Sequence, residues 1–136
     1  MPPFSLPNLE SNIVRSSYLL GSVAILRFWA TWCTICKAEM PSVQRAFTDF
    51  QGKNIRILTI SIDEGGSKDV TPFLAEHHYT MPVALDVKAE VFSRYGLFGT
   101  PGTFIADRQG MLVAKGFGPV DFDRPDFRKY ILDLAG

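Results

Sequence analysis

The chain has 136 residues, 46% of them hydrophobic and 21% charged, with 14 basic and 14 acidic side chains and so no formal net charge. That is the size of one domain with enough apolar content for a packed core, which excludes a disordered chain. A zero balance argues against nucleic acid as a partner, because phosphate binding needs a basic surplus or patch, and no apolar run is long enough to span a bilayer.

The start, Met1-Pro2-Pro3-Phe4, has no basic segment and no apolar segment of a signal peptide, which leaves the compartment open. Residues 4–9 predict a short edge strand ending at a turn, with Ile13 and Val14 pairing back on it. Residues 16–20 predict a single helical turn, punctuated by Gly21-Ser22. Residues 23–29 are β-branched, aliphatic and aromatic with little alternation, as in a central strand covered on both faces. Cys33 and Cys36 follow at once, and from there Met40, Val43, Phe47 and Phe50 recur at helical spacing. Pro41 is expected to kink that helix and Gly52 to end it. Residues 55–62 predict a second buried strand, and 67–78 a helix with Ser67 as its N-cap. Residues 82–86 predict a short strand, and 88–95 a helix closed by Gly96. Residues 103–107 and 111–116 predict a hairpin across Arg108-Gln109-Gly110, and 125–134 a final amphipathic helix. A parallel unit with a crossover followed by an antiparallel hairpin makes an α/β domain, with a mixed central sheet flanked by helices.

The two cysteines are too few and too close for a disulfide-stapled scaffold. They stand where a central strand gives way to a helix. The first N–H groups of a helix lack internal partners and the helix dipole places partial positive charge there, so a thiolate is favoured over a thiol. A fall in thiol pKa from about 8.5 to about 7 raises the reactive fraction at neutral pH from a few per cent to about half. The thiolate is the species that attacks a disulfide. With two residues between them, the second sulfur is within reach of the first and resolves a mixed disulfide from within the same molecule. Three plainer readings compete. An inert structural disulfide would close a very short loop and stabilise little. Half of a zinc site would need four ligands, and the only histidines, His77 and His78, fall on a separate helix. Two core thiols without a role are the third. The strand–CxxC–helix context favours redox chemistry over all of them.

The segment from Phe28 to Pro41, Phe-Trp-Ala-Thr-Trp-Cys-Thr-Ile-Cys-Lys-Ala-Glu-Met-Pro, resembles the active-site segment of the thioredoxin superfamily. It is most similar to the TlpA/ResA/CcmG branch of bacterial membrane-anchored or periplasmic thiol–disulfide oxidoreductases. Residues 4–9 resemble that branch's N-terminal strand, residues 67–86 its inserted helix and strand, and Gly99-Thr100-Pro101-Gly102-Thr103-Phe104 its cis-proline loop. The resemblance implies a single thioredoxin-like domain over 1–136, with 1–20 as an N-terminal extension and 65–87 as the insert. It implies Cys33 as the exposed nucleophile, Cys36 as the buried resolving thiol, and a cis Pro101 standing against the sulfurs. The backbone of Thr100 is then free to pair with an extended substrate strand. Glu39, three residues after Cys36 on the same helix face, is implicated by the resemblance in proton handling near the thiols. A solvated helix glutamate is the alternative, and both readings stay open at this point. Trp32 is expected to form a flat apolar rim for docking, Phe28 and Trp29 to be core, and His77 and His78 to lie on the surface.

The implied activity is disulfide exchange with protein substrates, in the direction of reduction, for example of apocytochrome or other exported thiols. The implied setting is the periplasm or cell envelope, with a cytoplasmic location as the alternative. Electrons would come from a membrane or soluble thiol donor. No dissociable cofactor and no metal is required, and a monomer is expected.

Two positions depart from thioredoxin. Arg27 stands where thioredoxins carry a buried aspartate, so that proton acceptor does not carry over. Arg27 is expected either to point outward at the strand's edge or to pair with Glu39 or Asp63. Thr34-Ile35 replaces Gly-Pro, which gives residue 35 an N–H expected to donate toward the Cys33 sulfur and to make the pair less reducing by roughly tens of millivolts. Two rival functions remain. A thiol peroxidase of this superfamily needs threonine three residues before its cysteine, where this chain has Ala30 and Cys33. A copper-binding module would use both thiolates, but no methionine or histidine adjoins the pair in sequence.

Overall fold

The computed structural model describes residues 1–136. Strand β3 (Val23–Trp29) is buried along its whole length. Both of its edges are paired and both of its faces covered, which is what a sequence apolar at every position but Arg27 requires. It runs parallel to β4 (Ile55–Ser61) in the register Val23↔Ile55 to Trp29↔Ser61, and antiparallel to β6 (Gly102–Ala106). Outside these lie β5 (Val83–Leu85), parallel to β4, and β7 (Leu112–Phe117), antiparallel to β6. The order β5-β4-β3-β6-β7 is a mixed five-stranded sheet. Strands β1 (Ser5–Pro7) and β2 (Ile13–Arg15) form a separate antiparallel pair, followed by a 3-10 turn at Ser16–Leu19. Asn8 bridges from this pair to Ala84 of β5.

The helices are α1 (Thr34–Asp49), α2 (Ser67–His77), α3 (Glu90–Arg94) and α4 (Pro125–Ala135). Alternation along β3 divides the core into two layers. Val23, Ile25 and Trp29 pack with Cys36, Met40 and Val43 of α1, Val70 of α2 and Ile131 of α4. Ala24, Leu26 and Phe28 pack on the other face with Phe4, Val91, Phe92 and Phe104. Arg27 falls between Ile25 and Trp29 in the alternation and therefore faces the layer of α1. His77 and His78 are exposed, as expected.

Local chemistry corrects two expectations. Ser67 does not cap α2: Gly66 occupies the N-cap position without a side-chain bond, and Asp69 accepts the Gly65 N–H from within the first turn. Pro41 lies inside helix α1, which extends on both sides of it. Helix α3 is shorter than predicted and is capped by Asp86, whose carboxylate accepts the N–H groups of Glu90, Val91 and Phe92 at 3.1, 3.3 and 2.8 Å. Gly102 is needed for space, because a Cβ there would fall 2.7 Å from Leu97 Cδ2.

Tyr95 packs against Phe4, Phe28 and Phe104. Its hydroxyl donates to the Pro2 carbonyl at 2.7 Å and holds the N-terminal segment down. Burial pushes the phenol up to about 12. The folded state then binds this proton more tightly than the unfolded chain does. That contribution to stability is complete below about pH 10 and is lost as pH rises from there through about 12. Denaturant midpoints measured at about pH 9 and about pH 11 should fall at the higher value, and Tyr95→Phe should remove part of that fall.

Candidate active site

The site begins where β3 ends. The Trp29 carbonyl still accepts the Ile62 N–H, but the chain then leaves the sheet and Cys33 opens α1. Cys33 is the N-cap, with extended backbone at φ −87° and ψ 108°. Its sulfur accepts the Cys36 N–H at 3.2 Å and its carbonyl accepts the Lys37 N–H at 3.0 Å. The sulfur thus does what a serine or aspartate oxygen does at other helix starts and satisfies one otherwise unpartnered donor of the first turn, while the Cys33 carbonyl accepts the first regular helical bond. Cys33 and Cys36 are joined as a disulfide. Cys36 is fully buried and Cys33 keeps 7% of its surface. Cys33 is the more open of the two, yet less exposed than expected, because its partner sulfur and the Thr100 carbonyl oxygen, 3.6 Å away, cover it.

The donor to the Cys33 sulfur is the N–H of Cys36, not that of Ile35. That amide exists whatever residue stands at position 35, so in this disulfide form Ile35 gives the sulfur no bond of its own. Ile35 turns its side chain outward instead.

A buried carboxylate holds the loop in front of Cys33. Asp63, 1% exposed at the end of β4, accepts the Thr31 N–H at 3.1 and 3.2 Å, the Thr31 hydroxyl at 2.6 Å and the Ser61 hydroxyl at 2.6 Å. These bonds to one loop residue fix the approach to Trp32 and Cys33. Asp63, expected only as a possible partner of Arg27, instead serves this loop. An acid at a strand end, beside a strand whose loop carries a threonine, was the signal for this clamp.

The Thr100–Pro101 peptide is cis, as the resemblance implies. The Thr100 N–H donates to no group of the chain, while the Pro101 carbonyl is held by Gly118 N–H. Beside them a groove of about 440 Å³ is lined by Leu97, Phe98, Thr100, Pro101 and Phe117. Phe98 is fully exposed at 101% and Phe117 is exposed at 61%; Trp32, at 63%, stands next to Cys33 in the chain. Phe98 and Phe117 were not singled out from the sequence. Phe98 carried a signal all the same, as a large apolar residue placed immediately before a glycine in a loop.

Arg27 does not point outward at a strand edge. It is fully buried and pairs with Glu39. Nη2 donates to Glu39 Oε2 at 3.1 Å, Nη1 donates to the Thr103 hydroxyl at 2.9 Å, and the guanidinium carbon lies 5.6 Å from the centre of the Phe122 ring. Burial lowers the Arg27 pKa, and the charge and hydrogen bond of Glu39 partly offset this. Glu39 Oε2 also accepts the Val120 N–H at 2.7 Å, while Oε1 is buried without a partner. Glu39 is thus not a solvated helix glutamate. No cluster of three or more His, Cys, Asp or Glu side chains is arranged to hold a metal ion, and no helix is long and apolar enough to cross a membrane.

Residues 1–115 match the AhpC/TSA family. Thiol-disulfide oxidoreductase ResA of Oceanobacillus iheyensis is 33% identical over 98% of this chain and 70% of its own length. Sporulation thiol-disulfide oxidoreductase A of Bacillus subtilis is 28% identical over 74% of this chain and 62% of its own. The chain therefore spans about two thirds of the length of these relatives. Among solved structures, a candidate thiol:disulfide interchange protein DsbE from Chlorobium tepidum superposes with a TM-score of 0.89 at 30% identity, covering 99% of this chain and 94% of that one.

Proposed function

The chain belongs to the AhpC/TSA family and is a ResA-like thiol–disulfide oxidoreductase, and on that premise we propose that it reduces disulfides of protein substrates through Cys33 and Cys36. Cys33, in its reduced form, attacks the substrate disulfide, the mixed disulfide forms, and Cys36 displaces the substrate thiol. The observation that carries this reading is the capping geometry: one sulfur at the helix mouth accepts an N–H, and a second, fully buried sulfur lies behind it. The partial positive charge of the helix start favours the Cys33 thiolate. Burial of Cys36 keeps the second thiol from competing for substrate.

Thr100 and Pro101 form the backbone ledge against which an extended substrate segment lies, and the free Thr100 N–H supports that role. Trp32 forms an apolar rim beside the nucleophile. Glu39 acts as the proton acceptor of Cys36. The 136 residues act as one domain and as a monomer, with 1–20 an N-terminal extension and 65–87 an insert. The work is done in the cell envelope, on substrates such as apocytochromes in cytochrome c maturation, with electrons from a membrane or soluble thiol donor. The resemblance of the CxxC segment supports this setting. A thiol peroxidase is not favoured, since neither cysteine has threonine three residues before it.

Trapping tests the reading. Reduced Cys36→Ser protein, mixed with an oxidised protein extract, should retain partners through Cys33 that are released by dithiothreitol. Partners retained equally by a protein lacking Cys33 would overturn the assignment of the nucleophile.

A further inference from the structure

The ion pair under the redox helix is a buried charge cluster that thiol chemistry alone does not require. Arg27 comes from β3, Glu39 from α1, Thr103 from β6 and the Val120 amide from the segment before α4, so four separate parts of the chain converge on it. Two donors, Arg27 Nη2 and Val120 N–H, meet on the same oxygen, Glu39 Oε2. The other oxygen, Oε1, is buried and has no partner. Burying an acceptor unpaired carries a penalty, and a carboxyl free to rotate would share its donors between both oxygens. Arg27 is itself tied to Thr103 by its second nitrogen, so the guanidinium cannot follow such a rotation. Cys36 lies three residues before Glu39, one turn along the same helix face, in the core layer that Arg27 enters between Ile25 and Trp29.

We propose that Arg27 is a positioning residue for the second step of exchange: by engaging Oε2 it orients Glu39 so that Oε1 receives the proton of Cys36. The proposal rests on the proton-acceptor reading of Glu39 given above. In the mixed disulfide, the Cys36 thiol gives its proton to Glu39 Oε1 and its sulfur forms a bond to Cys33 Sγ. The bond between Cys33 Sγ and the substrate sulfur breaks, and its electron pair leaves with the substrate as a thiolate. The protein's two sulfurs are oxidised to a disulfide and the substrate is reduced. Glu39 borders a groove of about 710 Å³ that opens toward solvent. The charged and titratable groups around it are Lys115 of β7, Asp121 of the following segment, and Arg124, Asp126 and Tyr130 at α4. The proton reaches solvent along this groove.

Single-turnover kinetics separate the two steps. The reduced protein is mixed with a disulfide substrate, and formation and decay of the mixed disulfide are followed by acid quench. Arg27→Gln should leave attack by Cys33 within about twofold of the parent and slow resolution by at least about tenfold. Arg27→Lys should recover part of that loss, since it keeps a cationic donor for Oε2. Glu39→Gln should slow resolution at least as much as Arg27→Gln. If Glu39→Gln slows resolution and folded Arg27→Gln does not, the role of Arg27 is overturned while that of Glu39 stands. If Glu39→Gln resolves at the parent rate, the reading of Glu39 fails and takes the proposal with it. Equal slowing of both steps in Arg27→Gln would leave Arg27 with a structural role only and overturn the proposal. Should Arg27→Gln not fold, Thr103→Val decides: a selective slowing of resolution by about threefold supports the proposal and no selective effect overturns it.

Discussion

Serine in place of Cys33 is expected to lower protein-disulfide reduction by at least about 10³-fold, to the level of the uncatalysed reaction. A hydroxyl cannot form the mixed disulfide, and Cys36, fully buried, offers no second route. The loss should be chemical and not structural. Serine is itself a favoured N-cap acceptor, so the Cys36 N–H that the sulfur now receives keeps a partner and α1 keeps its start. The cross-link that disappears closes a loop with a sequence separation of only 3, which in the chain-entropy account stabilises by about 2 kcal/mol. Insulin reduction, followed by turbidity with the background rate subtracted, measures the activity, and thermal unfolding measures the fold. More than about one tenth of the parent rate remaining in Cys33→Ser would remove Cys33 from its role.

Alanine in place of Glu39 is expected to destabilise the domain by about 3–5 kcal/mol, because it leaves the Arg27 guanidinium inside the core without its counter-charge. Arg27 has no route outward: its surface is fully covered, and Phe122 stacks on it. The Val120 N–H loses its acceptor in the same substitution. A fall in Tm on the order of 10–20 °C should follow. Glu39→Gln keeps an oxygen for both donors and should lose clearly less. Replacing both partners with apolar residues, as in Arg27→Met with Glu39→Leu, should restore most of the loss, because removing a buried pair entirely avoids the stranded charge. Thermal unfolding of the three variants checks the order. A loss below about 1 kcal/mol for Glu39→Ala would mean that water reaches Arg27 freely and the pair is not sealed.

The parts of the fold that follow from local pattern were legible. The largely apolar run over Val23–Trp29, interrupted at Arg27, and the helical spacing of Met40 and Val43 each reappear in place. The resemblance supplied what pattern could not, above all the cis Thr100–Pro101 bond. What stayed hidden was decided by contacts distant in sequence. Glu39 was a candidate partner for Arg27, but Thr103 and the Val120 amide lie far along the chain, and nothing in the sequence links either to Arg27 or Glu39. Ser67 had the composition of an N-cap and lost the place to Gly66, because Asp69 folds back on Gly65. The Asp63 clamp required knowing that β4 lies beside β3 in a register that carries Ser61 to Trp29. Phe122, fully buried against Arg27, lies in the segment before α4, where periodicity says nothing about burial.

The atom that trades electrons is also the atom that finishes the first turn of α1. The Cys36 amide therefore senses each covalent state of Cys33, whether thiolate, mixed disulfide or closed ring, through the single acceptor it faces. Catalytic state and helix initiation are written into the same few atoms, so a change in the oxidation of Cys33 changes the acceptor that caps α1.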